Sequence, residues 1–269
     1  MFVTLKKYIQ IYLIQIKNNW VREVVYRTNF ITNIVVDLVW LGVEFLLFTV
    51  IYANTPTLAG WSQQQVYFFL GVLFSSDALF TIFFTRNFWM FSDLVNKGEL
   101  DILLTKPVNP LFLALTRWMN LTAVSNFVLG VLIMKRYAHT AGFEVGVGYW
   151  RVWGLVPLWL CIGLASAFLM RFIFSIWVFW TERSWALARM YYQFFGFATK
   201  PDGIYPKTVR YIVLTVLPFA FIGSVPARAL LGQLPIWGYA GVFTILSLFF
   251  VADVALWRRG ILRYQSASS

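Results

Sequence analysis

The sequence predicts an all-α integral membrane protein: six transmembrane helices, an N-terminal interfacial helix, a re-entrant outer hairpin before the last span, and both termini cytoplasmic. Three observations predict it. The chain is 60% hydrophobic and 20% aromatic with only 12% charged residues, which leaves too little polar surface to cover a soluble globule of 269 residues. Its apolar runs are continuous and about 20 residues long, the length a helix needs to cross a bilayer and unlike the alternating pattern of a barrel strand. Lysine and arginine gather on alternate connections, as the positive-inside rule requires. One membrane domain covering residues 1–269 fits this length.

The elements follow in order. Phe2, Leu5, Ile9, Tyr12, Leu13, Ile16 and Trp20 fall on one helical stripe, with Lys6, Lys7, Gln10, Lys17 and Asn18 on other faces. Residues 1–27 therefore read as an interfacial helix on the inner leaflet, imperfect because Ile11 and Ile14 lie off the stripe. The first span runs from about Thr28 to Ala53. Its outside loop, Asn54 to Gln64, carries no lysine or arginine. The second span is about Val66 to Thr85 and the third about Leu111 to Met134. Lys135 to Tyr149 is the next outside loop, and the fourth span is about Val152 to Trp180. Trp185 to about Phe197 is short but is taken as the fifth, because basic segments at both chain ends demand an even number of crossings. KPDGIYPK, Lys200 to Lys207, is a clear break. Tyr211 to Leu231, interrupted by Pro218, Pro226 and Arg228, is read as re-entrant; a crossing at this segment instead of the fifth stays open. Leu234 to Trp257 is the last span, ended by Arg258, Arg259 and Arg263.

Between spans two and three lies a basic, mixed-polarity segment, Arg86 to Pro110. Phe88, Trp89, Phe91, Leu94 and Val95 can share one side of a short helix, leaving Ser92, Asp93 and Lys97 wet. Gly98 is placed as a left-handed helix stop. Leu100, Ile102, Leu103 and Leu104 form a second apolar patch before Pro107 and Pro110. These residues suit either a stiff knob offered to a partner or an ordinary surface helix and loop.

Ionisable residues inside the hydrocarbon layer are costly and face protein or water. Asp37, Asp77, Arg117 and Arg171 each lie roughly 7–10 residues from the cytoplasmic end of a span, about 10–15 Å deep. They are expected to form a mutually compensating layer of charge. Glu44, one face-repeat beyond Asp37, has no partner at its depth and is a candidate for facing a translocated substrate. Asp253 is expected beside Arg258 or water. The tryptophans near span boundaries read as interfacial anchors.

The net charge of +11 is explained by the positive-inside rule and anionic headgroups, so no nucleic acid is implied. The single cysteine, Cys161, and single histidine, His139, permit no disulfide framework or metal cluster. No phosphate-binding loop, HExxH or GxSxG motif is present, so no catalytic residue is assigned.

Two stretches resemble a known family. NKGELDILLTKPVNPLF, Asn96 to Phe112, and YPKTVRYIVLTVLPFAFIGSVPARALLG, Tyr205 to Gly232, are similar to segments of bacterial ABC-2-type transporter permeases. The resemblance implies a non-enzymatic membrane subunit of an ATP-driven exporter in the bacterial inner membrane. It implies a separate ATP-binding subunit that carries the ATP and magnesium. It also implies a second permease copy or a homologous permease, with membrane lipids around both. Coupling to the ATPase would fall on Phe88, Trp89, Ser92, Asp93, Lys97, Gly98, Glu99, Asp101 and Leu103, with Glu182 and Arg183 as a smaller second contact. The hairpin over residues 205–231, with Pro206, Pro218, Pro226 and Arg228, would lid the path on the outer side. An ion-coupled secondary transporter is the alternative, and a membrane-embedded lipid-modifying enzyme a more distant one.

Overall fold

A computed structural model describes residues 2–25, 27–140, 147–181 and 184–264, and these contain helices and turns but no strand. Helix α1, Phe2–Val25, is followed almost directly by α2, Arg27–Asn54. Tyr12 and Ile16 of α1 pack on Ile82, Met119 and Ala123. Leu5, Ile9, Leu13 and Trp20 stay exposed. The apolar stripe of α1 is thus divided between a protein-facing edge and an outward face.

Helix α3, Gln63–Phe80, begins at a capping box. The Gln65 N–H donates to Ser62 Oγ and the Ser62 N–H to Gln65 Oε1. Residues 66–73 of α3 are buried without a gap, so this helix, apolar on every side, is the centre of the bundle. It lies closest to α7, Val124–Ala138. A Cβ placed on Gly71 would come within 2.7 Å of the Met134 side chain, and one placed on Gly130 within 2.9 Å of Gly71 O. Small residues at these two facing positions let the backbones meet, as in helix pairs within membranes.

Helix α3 does not stop where the second span is expected to end. It passes through a π-turn at Thr81–Thr85 into α4, Arg86–Asn96. The result is one apolar helical run, Gln63–Asn96, of 34 residues, about 51 Å long. A short helix α5, Leu100–Leu104, and then α6, Pro110–Thr116, follow. Asn109 caps α6 by accepting the Leu111 and Phe112 N–H groups, and Pro110 occupies its first turn as expected.

One expectation needs correction. The third span is not one helix from Leu111 to Met134. The chain breaks after Thr116 and resumes through a 3₁₀ turn at Leu121–Ala123 into α7. The fourth span is α8, Val147–Ser175, with a 3₁₀ continuation at Ile176–Phe179. The fifth, α9, Ser184–Phe195, has 12 residues, about 18 Å of rise against the ~30 Å of a hydrocarbon core. Among the described residues, five helical runs are long and apolar enough to cross a membrane: Ile31–Asn54, Gln63–Asn96, Leu121–Ala138, Val152–Phe179 and Ile236–Arg263. The last is most of α12, Ile236–Arg263.

The segment before α12 splits into α10, Lys207–Thr215, and α11, Ser224–Leu230, joined by a 3₁₀ turn after Pro218. Its two outer ends meet, since Arg228 bonds Asp202 and Gly203 lies against Ala59 of the loop after α2. Its apex reaches the middle of the bundle. Ser166 Oγ of α8 donates to Pro218 O at 3.1 Å, and Gly223 lies against Phe69 and Leu73 of α3.

Candidate functional site

The segment between α3 and α6 divides its apolar residues between an anchor and a tip. Phe88, Phe91, Leu94, Val95, Leu100 and Leu103 are buried. Phe91 reaches Phe172, Phe179 and Trp257, which ties α4 to α8 and α12. Trp89, Met90, Ile102 and Leu104 are exposed, Ile102 at 60%. Leu103, expected on the contact surface, is therefore an anchor, and Ile102 beside it points outward. Gly98 adopts φ +74°, the left-handed conformation expected of the helix stop.

The polar side of this segment is wet. Asp93, Lys97 and Glu99 are exposed, and Ser92 and Asp101 half-buried. Lys97 Nζ donates to Asp93 at 3.0 Å, and that hydrogen bond and charge raise the Lys97 pKa above its ordinary value. Burial, then the nearby Asp101 carboxylate, push the Tyr264 hydroxyl up to about 12. Asp101 thus stands where the segment meets the end of α12. Glu182 and Arg183 lie outside the described residues.

Two buried asparagines hold the break that follows. Asn87 Nδ2 donates to Trp118 O at 2.7 Å and to Phe83 O at 3.0 Å, and Asn87 Oδ1 accepts the Trp118 N–H at 2.8 Å. Asn19 of α1 donates to Arg117 O at 3.1 Å. The Asn120 N–H donates to Ile82 O at 2.9 Å, within the π-turn. A π-turn leaves carbonyls without their usual helical partners, and here the broken strand of chain supplies one.

The four charges expected at one depth do not neutralise each other. Among the described residues no ion pair joins Asp37 or Asp77 to Arg117 or Arg171. Asp37 accepts from Asn126 Nδ2 at 2.8 Å. Arg117 ends α6 in an exposed position, its guanidinium 5.1 Å from the Trp118 ring. Arg171 is buried among aromatics, 5.3 Å from Trp89, 5.0 Å from Tyr191 and 5.2 Å from Tyr192. Trp89 also stacks on Tyr192 of α9, centroids 5.4 Å apart. The acids do share a place: Asp37, Glu44, Asp77, Asn126 and Thr199 line one cavity of about 80 Å³ between α2, α3, α7 and the end of α9.

Glu44 has the partner that spacing did not reveal. Lys200, from the KPDGIYPK break, donates to its Oε2 at 2.7 Å. The pair closes across 156 positions, so nothing local in α2 signals it. Asp253 is 3% exposed, and among the described residues neither of its oxygens has a hydrogen-bond partner and no ion pair joins it to Arg258.

The outer ends of the hairpin are latched by a residue the sequence reading passed over. Asp202, buried, accepts from Arg210 Nε and Arg228 Nε, both at 2.8 Å, and its N–H donates to Ser224 Oγ at 3.0 Å. The Arg228 guanidinium also stands 5.0 Å from the Trp61 ring. Pro206 precedes α10, Pro218 marks the apex and Pro226 lies buried in α11. The one signal for the latch is an acid within eight residues of an arginine in a proline-bounded break.

A family model described as "ABC-2 family transporter protein" matches residues 38–268. No curated protein and no solved structure matches the chain.

Proposed function

The chain belongs to the ABC-2 transporter family, and from that premise we propose that it is the permease subunit of an ATP-driven exporter whose ATPase is a separate chain. The single observation that carries this reading is the uninterrupted run Gln63–Asn96. Its outer half meets the hairpin apex at Phe69 and Leu73. Its other end carries the α4–α5 tip, with Trp89, Met90, Ile102 and Leu104 exposed. A push on that tip by a closing pair of ATPases displaces a lever about 51 Å long and moves the lid at its far end, a rigid-body switch between two arrangements.

In this reading both termini and the α4–α6 segment face the cytoplasm of a bacterial inner membrane. The α10–α11 hairpin re-enters from outside. The sixth crossing is a composite of α9 and the turns over 196–204. The permease works as a pair, with a second copy or a sister chain, among membrane lipids. ATP and magnesium reside on the partner subunit.

The convergence of Asp37, Glu44 and Asp77 on one cavity favours a second reading, an ion-coupled transporter. Transport into inverted vesicles separates the two. The exporter needs ATP and an ATP-binding subunit that co-purifies. Ile102→Asp with Leu104→Asp removes that subunit while the permease still reaches the membrane. Uptake that follows an ion gradient without ATP, with no ATPase retained in mild detergent, overturns the proposal.

A further inference from the structure

A concentration of positive charge lies beneath α1. Three guanidinium groups converge on one indole: Arg22 at 4.4 Å, Arg117 at 5.1 Å and Arg86 at 5.2 Å from the Trp118 ring centre. Beside this ring is a pocket of about 460 Å³ between α1 and the 103–118 stretch. Gln15, Asn18, Asn19 and Arg22 line one wall, and Lys106, Arg117 and Trp118 the other. No acid lines it among the described residues. No ion pair within 4.0 Å links Arg86, Arg117 or Lys106 to a described carboxylate.

Arg86 and Arg117, like charges on one ring, repel one another, and the ring face offsets only part of that cost. Their arrangement is stable next to an anion. The walls are already fixed: Asn19 is held by Gln15 O and Arg117 O, and Arg22 donates to Asn19 Oδ1. The exposed apolar residues of the same helix, Leu5, Ile9, Leu13 and Trp20, bring the pocket to the level of lipid headgroups.

We infer that this pocket binds a phosphate-bearing anion, the headgroup of an anionic lipid of the inner leaflet. Arg117 and Lys106 supply the forked and the point-like cation for phosphate oxygens, and the side-chain amides of Gln15 and Asn18 donate further hydrogen bonds. The inference rests on the proposed function and on the reading of α1 as an interfacial helix at the inner leaflet.

The test titrates the full chain, in a neutral detergent, with phosphatidylglycerol, phosphatidylcholine or inorganic phosphate, and counts bound lipid by native mass spectrometry. Phosphatidylglycerol is expected to bind in preference to phosphatidylcholine. Arg117→Gln and Lys106→Gln each weaken it about five-fold, whereas Arg258→Gln leaves it unchanged. Lys106 is exposed, so its variant keeps the test valid should Arg117→Gln not fold. Competition by inorganic phosphate at equal concentration identifies the phosphate itself as the ligand, from lipid or solution. No competition identifies the intact lipid. Equal binding of both lipids, or binding indifferent to both variants, overturns the site. Separately, Leu13→Cys in a Cys161→Ser background, labelled with a polarity-sensitive dye in vesicles, reports where α1 lies. An apolar signal without selective binding sinks the pocket and leaves the surface helix standing. An aqueous signal sinks the surface placement and the lipid source with it.

Discussion

Asn87 does at one point what a whole helical turn does elsewhere. It supplies a donor and an acceptor to Trp118, where the third span breaks, and a donor to Phe83 in the π-turn. Asn87→Ala leaves one buried N–H and one buried C=O without partners, at about 1–3 kcal/mol for each. Thermal unfolding in detergent should fall clearly below that of Asn18→Ala, a change at an exposed position of α1. Equal stability of the two variants shows that the break needs no such support. Glu44 and Lys200 invite a double-mutant cycle. Lys200→Met strands a buried carboxylate, and breaking a buried pair costs about 3–5 kcal/mol, while replacing both partners is often close to neutral. The double variant Glu44→Gln with Lys200→Met should therefore be more stable than Lys200→Met alone. That Asp37 and Glu44 share one face of α2 was legible from counting along the helix, because helical rotation per residue is regular. Their partners were not, because Asn126 and Lys200 arrive from segments whose packing no local pattern encodes.

At the scale of elements, the hairpin is held at its mouth by Asp202 and at its apex by Ser166 and Gly223. Asp202→Ala leaves Arg210 and Arg228 facing each other across an empty site. The expected outcome is a hairpin that opens: faster labelling of a cysteine introduced at Val225, buried in the native chain, with the rest of the bundle intact. Unchanged labelling means that the apex contacts alone hold it. Proline and glycine spacing did reveal a broken element over 205–231, and Gly98 did reveal the left-handed stop, because both act through local backbone chemistry. The π-turn escaped notice. Residues 81–85, TIFFT, continue the apolar run of α3, so hydropathy shows no step where the π-turn begins. The break after Thr116 was masked in a similar way, because Trp118, Met119 and Leu121 continue the apolar run past Arg117 and Asn120. The brevity of α9 was legible in the sequence, and so was the break at Lys200 to Lys207 after it.

At the scale of the whole molecule, the all-helical membrane class followed from composition, the length of the apolar runs and the placement of lysine and arginine, whereas the packing of a second copy would depend on which faces the single chain leaves bare. Helices α2 and α12 are both mostly unburied, in contrast to α3. Along α2, Asp37, Glu44 and Phe48 share one face by helical spacing, and Glu44 and Phe48 are buried. Val35, Val39, Val43, Leu46 and Val50 fall on the opposite face and are exposed. Gly42 adjoins that stripe and has open space where a side chain would stand. Lipid tails are as apolar as these residues, so burial of apolar area alone does not choose between lipid and a second helix. Close approach does, and a notch flanked by valines permits it. The outward face of α12, with Phe243, Leu248 and Phe250, keeps a neighbour further away. If a second copy of this chain is the partner permease, single cysteines at Val39 and Leu46, in a Cys161→Ser background, should form inter-chain disulfides in native membranes under mild oxidation. Cysteines at Leu248 and Phe250 should not. Cross-links confined to α12 would move the contact to that helix and leave the α2 valines to lipid. The absence of cross-links at either helix, in membranes that hold the complete transporter, would mean that the partner is a different chain.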